Sequence, residues 1–300
     1  MTHRRAVLMM IVVTLLWSTA GVVTRHLDAA RSFEATFWRS AFTALALAVA
    51  LRRLRGPSLW RELATAARPV WISGTCWAVM FTAFMVALTL TSVANVLVTM
   101  ALGPLVTALF ARLFLRHRLP LRTWAAIVAA GAGIAWMFGQ GASARQPGAL
   151  LGSVVALAVP IAAAVNWTLL QHAGRRPVCA GRRDDMPSAV LIGALLSALA
   201  TLPFALPLQA SARDIGLLSL LGIFQLAVPC LLVVRLSRIL PAPELALLGL
   251  LEVVFGVLWT WLIAGESPGA AALAGGALVL GALLVNEGLA WRARPRPVRE

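Results

Sequence analysis

One carboxylate lies inside a long apolar run: Glu252, in LLGLLEVVFGVLWTWLIAG from Leu247 to Gly265. It falls about eight residues into the apolar span read at about 243–264, near 12 Å from the helix end at 1.5 Å per residue. An ionisable group at that depth in hydrocarbon is a functional candidate, able to hold a substrate amine, carry a proton or pair with a buried cation. The cation available is Arg39, roughly 9 Å from the other end of its own apolar run. It is read as gating or structural, its head reaching the outer surface near Asp28 and Glu34. Three large amides in apolar runs, Asn95, Asn166 and Gln225, need several hydrogen-bond partners each. Trp17, Trp77, Trp167 and Trp259 could offer apolar walls with one donor apiece, suited to an amphipathic amino acid or a flat cation. Ordinary helix packing accounts equally well for any one indole. These residues, with Thr99, form the candidate substrate-binding set, and Pro104, Pro160 and Pro229 join Arg39 as gating or structural positions.

The same inventory argues against catalysis. His3, His26, His117 and His172 are dispersed, and no HExxH or nucleophile motif is present. No ring-forming charged filter or filter loop marks a channel. Cys76, Cys179 and Cys230 lack metal-ligand spacing and read as free thiols. No enzyme activity, metal or cofactor is expected.

Positioning such side chains requires elements that live in lipid. Hydrophobic residues make up 60% of the 300 positions and charged ones only 12%, too apolar for a water-soluble surface. Ten apolar stretches, at about 6–25, 33–51, 70–89, 92–115, 122–139, 148–170, 188–208, 214–234, 243–264 and 269–290, are each long enough to cross a bilayer as a helix. Strands are excluded because the runs are twice barrel length and lack two-residue alternation. Arginines gather in alternate gaps. Arg52, Arg53, Arg55, Arg61, Arg68, Arg112, Arg116, Arg175, Arg182 and Arg235 fall on the side of both termini, whereas Arg25, Arg31, Arg145 and Arg213 fall opposite. Positive charge stays inside, so both termini are assigned to the cytoplasm. That topology explains the net charge of +15, and no nucleic acid is expected, because no aromatic interleaving or folded module presents the arginines. The first run follows Arg4 and Arg5 like a signal peptide, but its length and the symmetry below favour a retained helix.

The chain repeats itself. Ala101-Leu102-Gly103-Pro104-Leu105-Val106 aligns with Leu250-Leu251-Glu252-Val253-Val254-Phe255, each followed by a proline, Pro120 or Pro268, and a Gly/Ala-rich helix. Residues 1–143 form the first five-helix repeat and 144–300 the second. Five crossings being odd, the copies are expected to be inverted, which is the basis of alternating access at a midplane site. The fold class is therefore all-α integral membrane, ten transmembrane helices in two inverted repeats around a central cavity.

The chain resembles the drug/metabolite transporter superfamily in its ten-helix EamA branch. The resemblance rests on Trp17-Ser18 with Arg25, Phe37-Trp38-Arg39, Gly103-Pro104, and LLEVVFGVLWTWLIAGESP from Leu250 to Pro268, and spans nearly the whole chain. It departs at His117, where the family carries an acid, and at Val253, where it carries proline. The resemblance implies helices one, three, four, six, eight and nine around the cavity, with five and ten as peripheral supports or a contact between protomers. Bacterial exporters of amino acids, of the YddG kind, fit best. The expected activity is inner-membrane export of small amphipathic metabolites, neutral or aromatic amino acids first, by a monomer or homodimer in the lipid bilayer. The alternative substrates are cationic drugs such as quaternary amines; an integral-membrane enzyme or channel is the alternative of another class.

Overall fold

The structure is a computed structural model and describes residues 1–24, 26–30, 32–91, 93–116, 119–139, 149–174, 186–264 and 269–292. All regular elements among them are helical: α1 (His3–Thr24), α2 (Ser32–Arg55), α3 (Leu59–Ala64), α4 (Arg68–Leu90), α5 (Val93–Met100), α6 (Gly103–Phe114) and α7 (Leu121–Phe138) in the first part of the chain. They are followed by α8 (Ala149–Gly174), α9 (Met186–Ala205), α10 (Ala212–Leu220), a π-helical segment (Leu221–Ala227), α11 (Val228–Leu236), α12 (Ala242–Gly249), α13 (Leu251–Ala264) and α14 (Ala270–Arg292). Eight helical stretches are long and apolar enough to cross a bilayer. This is a multi-pass membrane protein. Of the other two expected crossings, α7 has a shorter apolar stretch, Leu121–Met137, and α2 carries Glu34, Arg39 and a terminal Arg52, Arg53 and Arg55 that lower its hydropathy.

Three of the crossings are interrupted, each for a local reason. Between α5 and α6 the chain turns at Ala101-Leu102, where the Leu102 N–H donates to Thr99 O at 3.2 Å in a tightened last turn. Gly103-Pro104 then opens α6, since proline at the first turn needs no N–H partner. Between α12 and α13 the break falls at Leu250, whose N–H donates to Leu247 O at 3.2 Å, directly after Gly249, a weak helix former. Ala101 and Leu250 are the residues that begin the sequence alignment of the two copies, so the interruptions occupy equivalent places. In the third case Pro229 cannot donate to Gln225, and the helix widens ahead of it into the π segment.

Packing obeys the same equivalence. α2 lies against α9 and the π segment, and α4 against α9 and α8; α1 meets α11 and α13, and α8 meets α4 and α6. Exchanging the two copies maps each of these contacts onto another in the set, while α2–α9 and α7–α14 map onto themselves.

In lipid, water cannot drive helices together, so small residues and buried hydroxyls must bring backbones close. α7 and α14 cross at Gly133 and Gly275, where a methyl on Gly133 would lie 2.7 Å from the Gly275 carbonyl oxygen. The glycines of the fifth and tenth expected helices are thus engaged within one chain. Ser197 on α9 is hydrogen-bonded to Ser40 on α2 at 3.0 Å and to Thr82 on α4 at 2.9 Å. The Thr43 hydroxyl donates to the Gly222 carbonyl at 2.8 Å, tying α2 to the π segment.

Candidate functional site: a cavity between the two halves

A cavity of about 500 Å³ opens between helices of both halves. That size falls within the range of small-molecule sites. Interrupted helices reach it from both copies: Gly103 and Pro104 at the start of α6, and Gly249, Leu250 and Glu252 at the α12–α13 break. The wall is otherwise largely apolar, with Trp17, Trp77, Phe81, Phe84 and Trp167 supplying the aromatic surface. Trp77 and Trp167 meet edge to face with centroids 5.3 Å apart, a stable pairing that fixes both rings.

Two opposite charges face this space. Arg39 comes from α2 and is 5% exposed; its Nη2 donates to the Phe81 carbonyl at 3.3 Å. Its Nε has no hydrogen-bond partner among the described residues. Arg39 therefore points into the protein at the cavity rather than outward to Asp28 and Glu34. Glu34 instead accepts from the backbone N–H groups of Gln209 and Ala210, both at 2.8 Å. Glu252, half-buried in the first turn of α13, makes no hydrogen bond or ion pair with any described residue. The two charges influence each other electrostatically without forming an ion pair. Gln225, on the π segment, donates from Nε2 to the Trp17 carbonyl at 3.3 Å, which leaves its Oε1 without a partner among the described residues.

The model of the EamA-like transporter family matches residues 4–139 and again 150–287. The chain belongs to the EamA-like transporter family. As a member it is a membrane transporter of small molecules, built from two copies of the family's repeat. A solved crystal structure, described in its name only as that of a protein, is similar in fold, with a TM-score of 0.80 and 21% identity, over 98% of this chain and all of that one. No curated protein matches in sequence.

Of the positions singled out in the transporter's sequence, Trp17, Trp77, Trp167, Gln225, Glu252, Arg39, Pro104 and Pro160 lie on the cavity wall. Four others do not. Asn166 is fully buried behind it, accepting from the Ser73 hydroxyl at 2.6 Å. Trp259 donates from its indole to Ser18 Oγ at 2.9 Å, so it backs a wall residue. Thr99 sits a turn before the α5–α6 break, and Pro229 is buried in α11. Asn95 is on α5 with its side chain outside the described part, and Arg25, His117 and Cys179 also lie outside the described residues.

Among the wall residues that the sequence does not mark are Met10, Met100 and Cys230. An apolar residue in an apolar helix carries no signal of which way it faces. The structure also gathers His3, Glu244 and Glu287, with His3 Nε2 2.6 Å from Glu244 Oε1, although the sequence scatters them over three helices. Asp214, fully buried at the start of α10, accepts from the backbone N–H groups of Asp28, Ala29 and Ala30 at 2.8, 3.0 and 3.1 Å. That carboxylate fastens the α1–α2 connection of the first copy to the second.

Proposed function

We propose that the protein exports small amphipathic metabolites across a bacterial inner membrane, neutral and aromatic amino acids first, by alternating access between two inverted halves. The observation that carries this reading is the cavity itself: both copies contribute its wall, and each brings a helix interruption to it at an equivalent position. Discontinuous helices at corresponding places in two repeats mark the substrate site in transporters built this way, because the broken backbone can meet polar groups of a solute. Each copy crosses the membrane five times, so the second enters from the opposite face, and rocking one against the other moves the opening from the cytoplasm to the outside. Both termini are cytoplasmic, as the arginine distribution favours.

The indole-rich wall suits an apolar side chain. A quaternary amine would find Glu252 and the tryptophans, yet it would also face the Arg39 guanidinium across the same space, which disfavours it. Purified protein in liposomes is expected to exchange labelled phenylalanine or tryptophan faster than empty vesicles do. Exchange no faster than in empty vesicles across a panel of neutral and aromatic amino acids rejects the reading, and resistance to quaternary amines in a sensitive host would favour the rival substrate.

A further inference from the structure

The two charged groups of the cavity come from different copies. The first brings the Arg39 guanidinium on α2, beside the Trp77 indole N–H on α4, which has no partner among the described residues. They stand on adjoining turns of the wall, since Arg39 donates to the carbonyl of Phe81, whose ring lies 5.6 Å from that of Trp77. The acceptors to spare belong to the second copy: the Glu252 carboxylate on α13 and the Gln225 Oε1 on the π segment. The Thr107 hydroxyl on α6 is also unpartnered among the described residues and can serve as either. The wall thus carries a cation from the first copy and an anion from the second, among apolar side chains.

Buried polar groups and charges are costly when left unpaired. A solute carrying only a cation would leave Arg39 uncompensated and repelled, and one carrying only an anion would do the same to Glu252. A solute with neither charge would desolvate both. We infer that the cavity selects zwitterions, holding the substrate carboxylate at Arg39 and Trp77 and its ammonium at Glu252 and Gln225, with the apolar side chain among the indoles. This rests on the reading of the cavity as the substrate site and adds a rule of charge selection with a fixed orientation. The carboxylate faces the first copy and the ammonium the second, so a bound substrate links the two halves that move against each other.

The test compares L-phenylalanine with phenethylamine, which keeps only the ammonium, and 3-phenylpropionate, which keeps only the carboxylate. Binding to the purified full chain is read as ligand-induced thermal stabilisation, and transport as inhibition of labelled phenylalanine exchange in liposomes. Each single-charge analogue is expected to bind at least about tenfold more weakly than phenylalanine, the effect of one lost charge-assisted contact. In R39Q the carboxylate no longer contributes and phenethylamine should draw level with phenylalanine; in E252Q, 3-phenylpropionate should draw level. R39K, which keeps the charge, should restore the original order. Analogues that bind the unaltered protein as well as phenylalanine, or an order unmoved in E252Q, would overturn the inference while leaving transport intact. Selective binding without flux supports the inference and instead rejects the transport reading. Absence of binding by all three overturns the inference outright.

Discussion

Glu252 gains its importance from where it has no partner. Removing its charge should cost flux and not the fold: E252Q is expected to lower kcat/KM for phenylalanine exchange by about tenfold or more, roughly 1.4 kcal/mol of stabilisation, with an unchanged melting profile. Unaltered exchange would exclude it from the site. Asp214 is the contrasting case, a carboxylate whose oxygens are taken up by backbone donors. Asp214→Ala leaves the N–H groups of Asp28, Ala29 and Ala30 without their acceptor and should destabilise the protein by about 1–3 kcal/mol, seen as a lowered melting temperature. Of the two acids only Glu252 stands out in the sequence. Depth in an apolar run singled out Glu252, whereas Asp214 sits at a helix start, where an acid is ordinary, and its partners lie some 185 residues away. Arg39 was placed correctly in its helix and wrongly in direction, because the carbonyl it reaches belongs to another helix.

At the scale of elements, interruptions and close crossings do the positioning. Gly222 lets the π segment approach α2 closely enough that a methyl there would fall 2.6 Å from the Arg39 carbonyl oxygen and 2.8 Å from Phe42 Cβ. Gly222→Ala should therefore push α2 away and displace Arg39, lowering exchange as well as stability, the latter by about 1–3 kcal/mol. A variant with unchanged exchange would show that this crossing does not set the site. The apolar lengths made the crossings legible, but the break at Gly103-Pro104 was not, because the apolar run over 92–115 continues through it. The other break carries no proline. Its place could be found only by aligning the copies, which put Leu250 on Ala101. The π segment was not foreseen, since Pro229 lies beyond it and a proline alone does not say how the preceding turns relax.

For the whole molecule, the proposal depends on two copies of opposite orientation in the membrane. A cysteine introduced beside Arg145 should react with an impermeant maleimide added to intact cells, whereas the native Cys179 should react only after the cytoplasmic side is exposed. Equal reactivity would invert or abolish the arrangement. Membrane class and internal repetition were readable because lipid imposes length and charge rules on every crossing. Which face of each helix meets the cavity was less so, since Thr99, Asn166 and Trp259 stand in apolar runs just as Gln225 and Glu252 do yet do not line it. A polar stripe in lipid serves a neighbouring helix as readily as a water-filled space.

The most direct measurement places a single cysteine at Met100, on the cavity wall, in a protein whose Cys76, Cys179 and Cys230 have been replaced by alanine. If the cavity opens alternately to the two sides, that thiol will react with impermeant maleimide from the outside of cells and from the cytoplasmic side of inverted vesicles, and phenylalanine will slow both reactions. Reaction from one side only, or rates indifferent to phenylalanine, would contradict it.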